Sequence, residues 1–233
     1  MRPRIVVFTG AGMSAESGLS TFRDADGLWA NHRVEDICTH EALDWNRAEV
    51  IKFYNERRRE IIAAQPNAGH RAIARLAGVF PVDVVTQNID DLHERAGSTC
   101  VVHLHGEARK LCSTLHPDLV YPIEGWEQDP EARSPEDGAL LRPFIVFFGE
   151  QVPLLETAIR IASEADIMVV VGTSLAVYPA ASLIHYIRPD VPVYVVDPKQ
   201  PPISSIRNKV VHLAMGAAEG VPQLVDRLIR DYA

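Results

Sequence analysis

Short apolar runs alternate with longer amphipathic stretches along most of this chain. The run Ile5-Val6-Val7-Phe8 contains no polar position, which is typical of a strand buried on both faces of a parallel sheet. Further apolar runs predict strands at Val82–Thr86, Val101–Leu104, Phe144–Phe147, Ile167–Val171, Val193–Val196 and Val210–Leu213. Helices are predicted at Ala48–Ala64, Ala68–Val79, Ile89–Ala96, Leu154–Glu164, Pro179–Ile187 and Ala217–Asp231. This alternation indicates an α/β fold with a doubly wound parallel sheet.

Two regions interrupt the alternation. Residues 25–66 are helix-rich without a strand pattern, and residues 110–142 are rich in proline, glycine and acidic side chains. We therefore expect one domain spanning residues 1–233, in which these two regions form a small helical and irregular lobe. The crevice between this lobe and the sheet is the expected ligand site.

Composition narrows the class of protein. The chain has 233 residues, 47% of them hydrophobic, which is enough for a sizeable core. Its formal charge of −8 argues against nucleic-acid binding and suits basic protein partners. We expect no membrane span and no signal peptide, because no apolar run is long enough and Met1-Arg2-Pro3-Arg4 leads straight into the first strand. The three widely spaced cysteines indicate a reduced, cytoplasmic setting. Separately, a monomer is the expected oligomeric state.

A glycine-rich segment follows the first strand directly. Gly10 and Gly12 let the backbone turn sharply and approach a ligand closely, because neither carries a Cβ atom. Ser14 is expected to cap a helix whose N-terminus would hold a pyrophosphate. Ala15 stands where a dinucleotide fingerprint usually has its third glycine.

The chain after this segment departs from an ordinary dinucleotide-binding domain. It continues as a polar, glycine-punctuated stretch that holds Phe22 and Arg23, without a second strand that ends in a ribose-binding acid. We interpret this stretch as a loop over the ligand. Such a loop suggests chemistry on the cofactor itself rather than hydride exchange.

Polar side chains follow two further strands. Three of them stand after the strand Val82–Thr86, at the sheet edge where α/β ligands bind: Gln87, Asn88 and Asp90. Asp91 is expected to stabilise the helix that follows. His105, at the end of the next strand, is well placed as a general base near neutral pH, whereas His103 is deeper and is expected to be structural.

The ordered motifs G-A-G-M-S-A-E-S-G with F-R-D, then Q-N-I-D, H-G-E, F-G-E and G-T-S, resemble those of the sirtuins, NAD-dependent protein-lysine deacylases. The resemblance runs from about Arg4 to the C-terminal helix. It implies a Rossmann-like sheet with a small lobe, and a cleft in which NAD meets an acyl-lysine-bearing protein or peptide. The residues implied to bind NAD are Gly10, Ala11, Gly12, Ser14, Ala15, Glu16, Phe22, Arg23, Gln87, Asn88, Asp90, Gly172, Thr173, Ser174 and Ala218.

The resemblance also implies a reaction. The acyl oxygen attacks the ribose C1′, nicotinamide leaves, and His105, the catalytic base, removes a proton from the ribose hydroxyls. Hydrolysis then releases lysine and an O-acyl-ADP-ribose. Asn88 belongs to the same catalytic pocket, and no step needs a metal.

The zinc site that sirtuins usually carry is missing from the pattern. Two C-x-x-C pairs hold that zinc, whereas this chain has only Cys112 after His105, with Leu115 where its partner would stand. Cys112 and His116 would supply two ligands of the four that are needed. We therefore predict no metal, and a small lobe held by the packing of Leu115, Leu119, Tyr121, Ile123 and Trp126.

Two further segments concern the acyl-lysine substrate. Tyr54 and Arg57 share one helix face, and a solvated basic face would account for Arg58 or Arg59. The Y-x-x-R pattern resembles the acidic-acyl sirtuins, whose Tyr and Arg bind the carboxylate of succinyl- or malonyl-lysine, so we expect desuccinylase or demalonylase activity, with deacetylase activity also open. A substrate peptide is expected to add along the strand edge that contains Val146, Phe148, Gly149 and Glu150.

Two other classes of function stay open from the residues. The same pocket would serve ADP-ribosyl transfer or NAD hydrolysis, in which nicotinamide is released without an acyl-lysine peptide. A dehydrogenase or a silent NAD sensor is the other class. The missing ribose-binding acid argues against a dehydrogenase, and the presence of Asn88, Asp90 and His105 argues against a sensor.

Overall fold

The computed structural model describes residues 2–21, 33–203 and 206–233, so Phe22 and Arg23 lie outside the described residues. The strands are β1 (Ile5–Thr9), β2 (Val82–Thr86), β3 (Val101–His103), β4 (Gly106–Ser113), β5 (Val120–Pro122), β6 (Leu141–Ile145), β7 (Ile167–Val171), β8 (Val193–Val196) and β9 (Val210–Leu213). The helices are α1 (Gly12–Ala15), α2 (Val34–Ile37), α3 (Ala42–Trp45), α4 (Arg47–Ala63), α5 (Ala68–Ala77), α6 (Leu92–Arg95), α7 (Leu155–Ser163) and α8 (Ala217–Tyr232). The segment Ala180–His185 forms a 3₁₀ helix where an α-helix was predicted.

Six strands form a parallel sheet in the order β3-β2-β1-β7-β8-β9. The predicted doubly wound α/β sheet is therefore confirmed. Strand β1 pairs with β2 on one side and with β7 on the other, so the strand order reverses at β1. Ligands of such sheets bind at the carboxyl ends of the strands that flank this switch point.

The core lies on both faces of the sheet, which explains why β1 has no polar position before Thr9. Val6 and Phe8 pack on the face covered by α7 and the 3₁₀ helix. Ile5 and Val7 pack on the opposite face, against α5 and α8. Successive residues of a strand point to opposite faces, so a strand covered on both sides must be apolar throughout.

The small lobe contains a second sheet, in the antiparallel order β5-β4-β6. The strand predicted at Phe144–Phe147 is observed as β6 (Leu141–Ile145), and it pairs with β4 instead of joining the parallel sheet. Pro143 lies in β6 and cannot donate to a neighbour, which a strand at the edge of a sheet tolerates. The expectation of a merely helical and irregular lobe is therefore corrected.

The contacts that hold this lobe also differ from the prediction. Leu115 and Trp126 are 64% and 37% exposed, because they lie in polar loops outside the small sheet, so they do not form a packed centre. Arg58 of α4 is instead completely buried, and it donates to the carbonyls of Ala108 and Trp126 at 2.6 Å each. Arg59 is the exposed member of the pair Arg58–Arg59. Hydrogen bonds from α4 to main-chain carbonyls thus join the helical segment of the lobe to the segment that carries the small sheet.

Candidate active site at the carboxyl edge of the parallel sheet

The loops after β1 and β7 lie directly on each other. The N–H of Gly12 donates to the carbonyl of Gly172 at 2.9 Å, and the N–H of Gly10 donates to Val171 at 3.0 Å. A Cβ atom on Gly10 would stand 2.8 Å from the Gly172 oxygen, and one on Gly12 would stand 2.7 Å from the Gly172 Cα. In the described part of the chain, Gly10 and Gly12 therefore let the backbone of the loop after β1 lie close to the backbone of the loop after β7.

Ser14 lies within α1 and does not cap it, so the predicted helix cap is wrong. Ala11 occupies the N-cap position, and no side chain caps it. The hydroxyl of Ser14 instead donates to Asp90 Oδ2 at 2.9 Å and accepts from Asn88 Nδ2 at 3.1 Å. The reason is that the loop after β2 packs against α1 and presents a carboxylate to the hydroxyl. Ser14, Asn88 and Asp90 form one buried network.

Asp90 is held in this network at both carboxylate oxygens. Burial raises the pKa of Asp90, while the N–H of Leu92 and the Ser14 hydroxyl oppose this rise by donating to the carboxylate. Asp91 is structural, as predicted, but it acts through ion pairs with Arg95 and Arg109. It makes no side-chain cap on α6.

Gln87 joins the loop after β2 to the loop after β7. Its Nε2 donates to Thr173 Oγ1 at 2.9 Å, and the same oxygen accepts from the N–H of Leu175. Ser174, in the same loop, is exposed. The switch point is thus lined by amide and hydroxyl groups from both sides of β1.

His105 has a defined tautomer. Its Nδ1 lies 3.1 Å from the carbonyl oxygen of Gln87, which can only accept, so Nδ1 carries the proton and Nε2 carries a lone pair. Burial lowers the pKa of His105, and the hydrogen bond to Gln87 opposes this effect. The imidazole is therefore neutral at pH 7 and chemically able to accept a proton at Nε2.

His103 is structural, as predicted. Its Nδ1 lies 3.0 Å from the Asn88 carbonyl and its Nε2 lies 2.7 Å from Glu94 Oε1, so both ring nitrogens face acceptors. Burial is the largest single influence and lowers the pKa of His103, but the hydrogen bond and charge of Glu94, the bond to the Asn88 carbonyl and the charge of Glu107 together raise the net pKa. His103 therefore holds Asn88 from its main-chain side.

Glu16 and Ala218, both predicted to bind NAD, contact each other. Glu16 Oε2 accepts from the N–H of Ala218 at 2.7 Å and so satisfies the first turn of α8. A Cβ atom on Gly216 would lie 2.7 Å from this carboxylate. Ala15 is exposed beside Glu16 and makes no contact with the buried network.

Tyr54 and Arg57 are both buried on α4. The Tyr54 hydroxyl lies 3.5 Å from Cys38 Sγ, and its ring stacks edge-on against Phe147 at 5.6 Å. Arg57 donates to Glu60 Oε2 at 2.9 Å and to the Ser20 carbonyl at 3.2 Å. Among the residues that the structure describes, Arg57 Nε has no hydrogen-bond partner.

The segment after β6 lies beside His105. The N–H of Val146 donates to the His105 carbonyl at 3.0 Å, and the N–H of Phe148 donates to the Cys38 carbonyl at 2.8 Å. Phe148 is half-exposed, and Gly149 has a φ of +92°, which favours glycine.

Glu150 serves this segment internally. Its Oε1 accepts from Arg142 at 2.7 Å and from His40 Nδ1 at 2.9 Å, and its Oε2 accepts from the N–H of Phe147. Arg142 is a residue that the sequence reasoning missed, because nothing in the strand pattern distinguishes it from a surface position. Through these three hydrogen bonds, Glu150 holds the segment after β6 in place.

Metal ligands and membrane spans were also sought in the described ranges. Within residues 2–21, 33–203 and 206–233, no three His, Cys, Asp or Glu side chains gather as a metal site would require. Cys112 is buried in β4, with its Sγ 4.0 Å from the Pro143 carbonyl. The absence of zinc stays a prediction. None of the described helices has the length and apolarity needed to cross a membrane.

The fold and site define a doubly wound α/β protein whose switch point carries a buried polar network and a neutral histidine. The model of the Sir2 family matches residues 10–179. A protein of Bacteroides thetaiotaomicron named NAD-dependent protein deacylase is 50% identical over an alignment of 232 positions that covers 97% of each chain. This chain belongs to the Sir2 family, the sirtuins.

Solved structures agree with this assignment. A Sir2 homologue in complex with NAD is 37% identical, with a TM-score of 0.87, over 97% of this chain and 90% of that chain. A Sir2 protein in complex with a p53 peptide and NAD is 29% identical, with a TM-score of 0.77, over 97% of this chain and 92% of that chain. The Rossmann-like fold expected from the sequence is confirmed.

Proposed function

We propose that this chain is an NAD-dependent protein-lysine deacylase whose site lies at the carboxyl edge of the parallel sheet and accepts succinyl-, malonyl- and acetyl-lysine. The observation that carries the proposal is the network of Ser14, Asn88 and Asp90, which the Gln87 main chain connects to a neutral His105. The deacylase name of the Bacteroides relative supports the class of reaction.

The residues at the switch point fit a dinucleotide. Gly10, Ala11 and Gly12 follow β1 at the switch point and carry no side chain larger than a methyl group. The amides of Gln87 and Asn88, with the neighbouring hydroxyl and carboxylate groups, match the hydrogen-bonding needs of ribose hydroxyls and a carboxamide. NAD, when bound, supplies the ribose that accepts the acyl group. The Sir2 homologue solved with NAD supports this placement.

His105 would accept a proton from a hydroxyl group at Nε2. Its Nδ1–H would keep donating to the Gln87 carbonyl, and that bond would strengthen once the ring carries a positive charge. Since the pKa of His105 is lowered, the ring does not have to lose a proton before it acts at neutral pH.

Tyr54 and Arg57 would bind an acidic acyl group. Arg57 keeps one buried N–H donor without a described partner, and its counter-ion Glu60 is half-exposed, so a buried carboxylate would complete the pairing of the guanidinium. Within the described part of the chain, the hydrogen bond of the Tyr54 hydroxyl is the 3.5 Å contact with Cys38 Sγ, a weak partner, so turning the hydroxyl to a carboxylate oxygen would cost little.

The test uses one peptide in acetyl-, succinyl- and malonyl-lysine forms, incubated with NAD and analysed by mass spectrometry. Formation of O-acyl-ADP-ribose supports the deacylase, whereas nicotinamide release without any acyl-lysine peptide would assign NAD hydrolysis instead. Arg57→Met is expected to lower succinyl-peptide turnover about 10- to 100-fold more than acetyl-peptide turnover, the range of a charged hydrogen-bonded pair. Arg59→Met, on the exposed face of the same helix, is the matched control. Equal losses on both peptides would refute the acyl preference.

A further inference from the structure

Two histidines lie side by side behind the strand ends. His70 of α5 and His93 of α6 are buried, and their ring centroids are 4.9 Å apart. Each ring has one nitrogen bonded and one without a partner among the described residues, His70 Nε2 and His93 Nδ1. Buried polar atoms are rarely left without a partner, so this pair calls for an explanation.

The neighbours of His93 fix its tautomer. The hydroxyl of Thr9 donates its one proton to Thr86 Oγ1 at 2.8 Å, so it can only accept from His93 Nε2, which lies 3.2 Å away. Nε2 therefore carries the proton. The unpaired Nδ1 is left with a lone pair and is an acceptor.

The neighbours of His70 fix the opposite arrangement. The N–H of Asn67 donates to His70 Nδ1 at 3.3 Å, as part of the capping box of α5. Nδ1 therefore carries the lone pair, and Nε2 carries the proton. The two unpaired nitrogens are thus a donor on His70 and an acceptor on His93.

The chain of hydrogen bonds continues into the active site. Thr86 Oγ1 also accepts from the N–H of Asn88 at 3.0 Å. The side chain of Asn88 donates to Ser14 in the active site. The main chain of the same residue is connected through Thr86 and Thr9 to His93.

We propose that His93, packed against His70, is a positioning residue that fixes Asn88 for NAD binding. The inference rests on the proposed function, because Asn88 is assigned there to the NAD pocket. His93 acts through Thr9 and Thr86 and touches no substrate. A simple packing role would require only the shape of the rings, whereas the proposed role requires the Nε2–H donor.

The variants separate the loss of the Nε2–H donor of His93 from a change in the shape of its side chain. His93→Gln places an amide N–H near the Nε2 position, so the bond to Thr9 survives. His93→Phe keeps an aromatic ring without any donor. Thr9→Val removes the hydroxyl with little change in volume. His185→Asn, at an exposed position, controls for the loss of a histidine.

The measurements are the affinity for NAD by calorimetry and kcat and KM for an acetyl-lysine peptide. His93→Phe and Thr9→Val are expected to weaken NAD binding about tenfold or more, with the KM for peptide within about twofold of wild type, and His93→Gln to recover most of that loss, as expected for one buried hydrogen bond. Equal NAD affinities for His93→Phe and His93→Gln would overturn the proposal. If His93→Phe does not fold, Thr9→Val decides alone, and unchanged NAD binding by it would overturn the proposal.

The proposed deacylase function and the positioning role of His93 can be refuted independently of each other. Wild-type protein that binds NAD but forms no O-acyl-ADP-ribose would contradict the proposed deacylase, while the calorimetric series would still test His93.

Discussion

Acid is expected to destabilise this fold through His70 in particular. Burial lowers the pKa of His70 to about 4, with a smaller contribution from Arg71, against 6.5 for an ordinary histidine. The unfolded chain therefore binds more protons than the folded chain between about pH 4 and pH 6.5, so stability falls as pH falls through this window. Since His70 is fully buried, solvent screens this effect little.

The magnitude follows from the two pKa values. A difference of about 2.5 units corresponds to about 3 kcal/mol when fully expressed, and about 2 kcal/mol of it is lost between pH 8 and pH 5. His93, whose pKa is also lowered by burial, acts in the same direction, whereas His103, whose pKa is raised, acts in the opposite one. A measurement on the wild type alone therefore mixes several groups.

The comparison with His70→Asn isolates one group. Asn keeps an acceptor near the Nδ1 position for the Asn67 N–H, so the cap of α5 is retained. Urea unfolding is measured from pH 5 to pH 8 for wild type, His70→Asn and the exposed control His185→Asn. The free-energy gap between wild type and His70→Asn should shrink by about 2 kcal/mol from pH 8 to pH 5. A gap that stays constant would refute a neutral, buried His70.

Three further predictions concern the site and the lobe. Arg58→Met should lower the free energy of unfolding by about 3 kcal/mol in a urea titration, because two buried carbonyls lose their donor, while Arg59→Met should change it little. Gly12→Ala should weaken NAD binding at least about tenfold in calorimetry, because its Cβ would force the Gly172 loop away, and Gly78→Ala is the control. The acid limb of kcat/KM should lie below pH 6.5, since the pKa of His105 is lowered; a limb above pH 6.5 would argue against His105 as the base.

Elements governed by local pattern followed from the sequence. The apolar runs predicted β1, β7 and β8, because strands covered on both faces are apolar along nearly their whole length. Strands β2 and β9 were also predicted, although they include Asp83 and His212. Strand β6 was placed correctly along the chain to within a few residues, but its partner was not foreseen. Pairing depends on contacts between distant segments, which a local pattern does not contain. The exposure of Leu115 was missed for the same reason.

The site residues were recognised by motif, while their contacts were not. Ser14 was assigned to a helix cap and instead donates to Asp90. Glu16 was assigned to NAD, which stays a prediction, and its contact with the N-terminus of α8 was not foreseen. In each case the partner comes from another loop at the sheet edge. A motif identifies which side chains come together at the sheet edge, but not which of them are hydrogen-bonded to one another.

The glycine fingerprint illustrates how a ligand site and a fold share one constraint. Gly10 and Gly12 are required because the loop after β1 lies on the backbone of Gly172, whatever the ligand. This packing sets the loops after β1 and β7 at a fixed separation, and Gln87 bridges to Thr173 across it. In the sheet below these loops, Thr9 of β1 pairs with Thr86 of β2, and their hydroxyls are hydrogen-bonded. His93 donates to Thr9, and the Asn88 N–H donates to Thr86, so the two threonines connect His93 to the Asn88 main chain. A substitution at Gly12 should therefore disturb NAD binding through the β7 loop, and loss of Thr9 should disturb it through Asn88. Because Gly12 opens α1, whose Ser14 accepts from the Asn88 side chain, the two routes meet at Asn88, and their effects on NAD affinity should not simply add in the double variant.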